Sequence, residues 1–128
     1  MRIMITGAGG FMGRNLCETL RERRPEDMLD LMDLATPRKA LEAAAAEADF
    51  VFHLAGVNRP EDPDDFMRGN GDFTLELTAL LERGKKPPVV LASSIQAALD
   101  NPYRASKRAA EDAVAAYARR CGTRAYLY

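Results

Sequence analysis

At 128 residues, with 47% hydrophobic and 29% charged residues, the chain has the composition of one globular domain built on a single core. A formal net charge of −1 argues against a nucleic-acid surface, and no stretch approaches the roughly 20 apolar residues of a membrane span. The N-terminus lacks the apolar region of a signal peptide, so the expected compartment is the cytoplasm, with Cys17 and Cys121 as reduced thiols. Neither has metal-ligand spacing to the other or to His53, the only histidine, and no metal is expected.

The first element, "RIMIT", reads as a buried strand. "GAGGFMG" follows, with Gly7, Gly10 and Gly13 spaced three apart, and leads into a helix on which Phe11, Leu16 and Leu20 fall near helical spacing. A strand, a glycine turn and a helix N-terminus together make an anion site. Glycines let a ligand approach the backbone, and the free N–H groups and dipole of the first helical turn favour negative charge. The usual occupant is a dinucleotide pyrophosphate, which makes Gly7, Gly10, Phe11, Met12, Gly13 and Arg14 candidate cofactor contacts. The plainer alternative is a turn that only joins a strand to a helix.

Pro25 breaks the first helix and "MLDLMDL" supplies a second strand. "TPRKALEAAAAEA" predicts a helix with Thr36 as N-cap and Pro37 at its first position. "DFVFHLAG" is an apolar third strand, a Pro-, Gly- and Asp-rich loop follows, and "FTLELTALLERG" predicts a helix closed by Gly84. "PPVVLASS" is a fourth strand, "NPYRASKRAAEDAVAAYARRCG" a long helix ended by Gly122, and "TRAYLY" a fifth strand. Repeated β-α units predict an α/β, Rossmann-like doubly wound fold with five parallel strands in spatial order 2-1-3-4-5. Right-handed crossovers then gather the loops after the strands along one edge, where a ligand would sit.

Tyr103 and Lys107 lie four apart at the start of the long helix, on one face. A cation beside a phenol favours the phenolate, which suits proton exchange with a substrate oxygen, and Lys107 can also hold a cofactor ribose. Ser93 and Ser94 end the preceding strand, where a hydroxyl could bond a substrate carbonyl as charge develops on it. Taken singly, such serines often cap turns and such a Tyr/Lys pair is often a solvated helix face. Here glycine turn, serine and Tyr/Lys pair stand in the order that one active site needs.

"TGAGGFMG", "HLAG", "SS" and "YRASK" resemble, in order and across the whole chain, the signatures of extended short-chain dehydrogenases/reductases, the nucleotide-sugar epimerase/dehydratase group. Within that group, "HLAGVNRPED" and "SSIQAALDNPY" resemble reductases of capsular polysaccharide synthesis that reduce a UDP-linked 4-keto sugar with NADPH. The resemblance implies that Ser94 polarises the keto oxygen, Tyr103 donates the proton, Lys107 binds the nicotinamide ribose and Asn70 supports the site. It also lays Leu54, Ala55 and Gly56 against the cofactor and makes His53 a packed, hydrogen-bonded side chain. Asn58, Arg59 and Gln96 fall on loops after strands and receive no role.

Two departures from the family pattern stand out. One β-α unit before "HLAG" is missing, so "MDL" reads either as the ribose-binding strand end or as the step that flanks adenine. The chain also stops where relatives continue into the segments that close the sugar-nucleotide pocket, which implies a cofactor domain with little turnover of its own. Asp33 favours NAD by accepting ribose hydrogen bonds, whereas Arg14, Arg38, Lys39 and the capsular relatives favour NADP, and the balance leans to NADP. The sequence therefore points to an NAD(P)-dependent nucleotide-sugar reductase or epimerase with a UDP-sugar substrate and a homodimer through its third and long helices. The alternative is a non-catalytic dinucleotide-sensing or scaffold domain.

Overall fold

Five parallel strands form one sheet in the order β2-β1-β3-β4-β5: β1 Arg2–Thr6, β2 Met28–Met32, β3 Phe50–His53, β4 Val89–Leu91 and β5 Ala125–Leu127. The computed structural model describes residues 1–33, 36–54, 71–92 and 102–127, and for 102–104 the helical backbone alone. Four helices connect the strands among these residues: α1 Phe11–Arg23, α2 Arg38–Glu47, α3 Phe73–Arg83 and α4 Pro102–Cys121. The expected strand order and direction are both observed.

The sheet is buried on two sides because alternate residues of its central strands enter two separate cores. Ile3 and Ile5 of β1 pack with Cys17 of α1 on one face. Met4 points the other way, into a larger core with Val51 of β3, Leu41 of α2, Leu77 and Leu81 of α3, and Val114 and Tyr117 of α4. One helix therefore covers one face and three cover the other. Beside α1 an apolar groove of about 600 Å³ runs over Phe50, Phe52, Val90 and Tyr126.

One helix end differs from the sequence reading, and Gly84 and Gly122 end their helices as expected. Thr36 does not cap α2, whose N-cap is Pro37 in extended backbone; the Thr36 hydroxyl instead accepts the amide of Asp33 at 2.9 Å, closing the turn after β2. Gly84 ends α3 without a left-handed φ; a Cβ there would lie 2.9 Å from the Ala46 carbonyl, so this glycine lets α3 close against α2. Gly122 ends α4 in the left-handed region, φ +64°, as its position predicts. The Tyr117 hydroxyl donates to the Pro87 carbonyl at 2.7 Å and ties α4 to the base of β4.

Candidate active site

Thr6, Met32, His53 and Leu91 are the last residues of β1 to β4, and in a parallel sheet these ends share one edge. Three of the sequence-predicted features meet there: the glycine turn, the chain after β3 and the N-terminal part of α4.

Of the four glycines in the turn, the three spaced three apart differ in what requires them. Gly7 takes φ +70°, a left-handed conformation costing other residues roughly 1–2 kcal/mol. A Cβ on Gly13 would lie 2.2 Å from the Gly7 carbonyl oxygen and 2.7 Å from the Ala8 Cα, so α1 can sit this close to the turn only with glycine. Gly10 is different. A Cβ there would meet only the Gly7 oxygen, at 3.4 Å, an ordinary contact, so nothing in the protein's own packing demands glycine. A bare backbone at that point suits close approach by a ligand.

The first turn of α1 completes the cradle. Gly10 is its N-cap, with no side-chain cap and no acidic residue in the first turn, so an anion brings the complementary charge. Arg14 reaches back to donate to the Gly9 carbonyl at 2.9 Å, which sets a guanidinium beside the turn. Phe11 and Met12 stand 85% and 58% exposed at its mouth. The residues present fit a dinucleotide pyrophosphate.

The other expected contacts fare unequally. Asp33 is exposed just past β2, bonded with Thr36 as described. The Arg38 guanidinium pairs with Glu42 at 3.1 Å and with Glu76 of α3. Leu54 donates its amide to the Thr6 carbonyl at 3.2 Å, fixing the chain after β3 beside the turn. Ala55, Gly56, Asn58, Arg59, Asn70, Ser94, Gln96 and the Tyr103 side chain lie outside the described residues.

Lys107 is brought to this edge. Only 6% exposed, it donates through Nζ to the Ala92 carbonyl at 3.4 Å, at the end of β4. Burial lowers its pKa, partly opposed by the carboxylate of Glu111. Tyr103 is one helical turn nearer the N-terminus of α4, about 6 Å along the axis, so its Cα projects from the face that carries Lys107.

His53 is 1% exposed with both ring nitrogens engaged: Nδ1 lies 2.6 Å from the Thr6 hydroxyl and Nε2 2.8 Å from that of Thr74. Burial first and the Lys107 charge second push its pKa down to about 3, so the ring is neutral. The expectation of a packed, hydrogen-bonded histidine holds. The threonines were missed, although a signal exists: Thr6 and His53 are polar residues ending adjacent apolar strands, and they pair in register. Among the described residues no group of His, Cys, Asp and Glu could hold a metal, and no helix is long and apolar enough to cross a membrane.

A five-stranded parallel sheet with a glycine turn after β1 and a lysine-bearing helix after β4 defines a Rossmann-like α/β fold, and the chain belongs to the NAD dependent epimerase/dehydratase family, which it matches over residues 3–127. It is 40% identical over 129 residues to UDP-2-acetamido-2,6-beta-L-arabino-hexul-4-ose reductase of Pseudomonas aeruginosa, covering all of this chain and 34% of that protein. It is 36% identical to a ceramide reductase of Caulobacter vibrioides, covering 89% of this chain and 42% of that one. Among solved structures, the capsular polysaccharide assembling protein CapF of Staphylococcus aureus superposes with a TM-score of 0.85 at 41% identity, over all of this chain and 35% of that one. The chain thus spans about a third of the length of the first relatives it matches.

Proposed function

We propose that this chain is the cofactor-binding part of an NAD(P)-dependent nucleotide-sugar reductase or epimerase acting on a UDP-linked keto sugar in cell-surface polysaccharide synthesis. The observation that carries the reading is the cradle, whose Gly10 backbone is bare without any need from the protein's own packing, beside an uncapped helix N-terminus. The substrate class is supported by the two relatives at 40% and 41% identity, both of which match the whole chain.

In this reading the backbone N–H groups at the start of α1 and Arg14 hold the pyrophosphate, and Lys107 holds the nicotinamide ribose. When bound, the nicotinamide supplies or accepts the hydride at the sugar carbon. Tyr103 exchanges the proton with the sugar oxygen, and Lys107, desolvated by burial, favours its phenolate through a field that water screens weakly. Ser94 bonds the same oxygen and Asn70 supports the site. A dinucleotide-sensing domain would need the cradle but not the Tyr103, Lys107 and Ser94 set.

Between the two cofactors the geometry favours NAD. Asp33 stands exposed where it can accept hydrogen bonds from the adenosine ribose, and Arg38, counted in the sequence towards a 2′-phosphate, is paired with Glu42 and Glu76. Titration of both dinucleotides into the chain tests this, and NADP binding ten times tighter than NAD reverses it.

Turnover requires the substrate to be gripped away from the reacting atoms, so the chain by itself reduces or epimerises little. In a form as long as its relatives, Tyr103→Phe is expected to remove most turnover and leave cofactor affinity within about twofold. Unchanged turnover would refute the assignment.

A further inference from the structure

We propose that His53 is a positioning residue: through the bond of its Nδ1 to the Thr6 hydroxyl it fixes the start of the glycine cradle to the end of β3, to which Lys107 is tied through the main chain of His53 and Ala92. The inference rests on the functional reading above and goes beyond it by giving a role to a buried group that the proposed chemistry does not use.

The connection is continuous. On one side Nδ1 meets Thr6, the residue immediately before Gly7, and the Thr6 carbonyl accepts the Leu54 amide at 3.2 Å. On the other Nε2 meets Thr74 in the first turn of α3, and the Phe73 ring lies 5.5 Å from the imidazole, centroid to centroid. The His53 carbonyl accepts the Ala92 amide at 3.2 Å, and the Ala92 carbonyl accepts Lys107 Nζ. One residue therefore references the start of the cradle, the chain entering the cofactor side of β3, helix α3 and the site lysine to a single point inside the protein. A buried network satisfied at every member has one low-energy arrangement, which is what holding a diphosphate cradle and a ribose-binding ammonium at fixed separation demands. A neutral ring serves better than a charged one, because Lys107 is the charged group that acts on it among the described residues and two cations would repel.

The side-chain amide of asparagine reproduces the position of Nδ1, and that of glutamine the position of Nε2. His53→Asn thus keeps the bond to Thr6, and His53→Gln loses it. NAD binding would be measured by calorimetry on the 128-residue chain, with Tyr117→Phe as a control that loosens the fold at the base of β4, away from the site. Expected are about tenfold weaker binding for His53→Gln and for Thr6→Val, no further loss when the two are combined, and affinity within about twofold of wild type for His53→Asn and Tyr117→Phe. Wild-type affinity in His53→Gln and Thr6→Val, or equal loss in His53→Asn and His53→Gln, would overturn the proposal. If the wild-type chain binds no dinucleotide, the functional reading fails, and the positioning role is then decided in the unliganded protein by NMR. Displacement of the Gly7 amide resonance in His53→Gln, restored in His53→Asn, supports it; a Gly7 amide unmoved in both rejects it.

Discussion

A histidine held neutral inside the protein makes stability depend on pH. The folded chain refuses a proton at His53 until about pH 3, whereas the unfolded chain takes one up below 6.5. Between these values the unfolded state binds more protons, so this contribution is complete above pH 6.5 and is lost as pH falls. Urea unfolding is expected to show a loss of about 2 kcal/mol between pH 7.5 and 5, absent in His53→Asn. Parallel curves for the two proteins would contradict this origin. Asp27 and Asp49, held below the ordinary carboxylate value of 3.8 by hydrogen bonds from Arg24 and from the Arg2 amide, act only at lower pH. The packed state of His53 was legible only through the resemblance of "HLAG" to a family segment that lies against the cofactor. Its bonds to Thr6 and Thr74 were not, because periodicity tells which face a side chain takes but not where its polar atoms end.

Glycines in the turn between β1 and α1 serve two purposes that substitution separates. Gly13→Ala drives a Cβ into the Gly7 carbonyl and is expected to cost about 3 kcal/mol or more in thermal or urea unfolding. Gly10→Ala adds a methyl in ordinary contact only and is expected to change stability by less than about 1 kcal/mol. Comparable losses in the two variants would mean that the turn is built for packing alone. Strand order was legible at this scale, because each short crossover has one permitted hand and the alternation of apolar strands with helices leaves few arrangements. The start of α2 was not: Thr36 followed by Pro37 satisfies the pattern of a cap, yet the hydroxyl is taken by the turn after β2. Nor could the fate of Arg38 be read, since its partner Glu76 lies 38 positions away on α3.

At the scale of the molecule, one face of the sheet carries the single helix that builds the cradle, and the other carries three helices, of which α4 delivers Lys107 to the same edge. The division follows from the strand order, since the connection after β1 runs one way along the sheet and the later ones run the other. Cradle and lysine come from opposite faces and meet only where the strands end. We further propose a homodimer through α3 and α4, whose small residues in "AAEDAVAAYA" permit close helix packing. Light scattering at high concentration is expected to show twice the monomer mass, and a monomer throughout would contradict it. Whether the bare backbone at Gly10 exists for a dinucleotide is decided by calorimetric titration of NAD into the wild-type chain and into Gly10→Ala. Expected are saturable binding by the wild type and, in the variant, affinity at least about tenfold weaker with thermal stability retained. Equal affinity in the two proteins, or no binding by a folded wild-type chain, would contradict a dinucleotide role at Gly10.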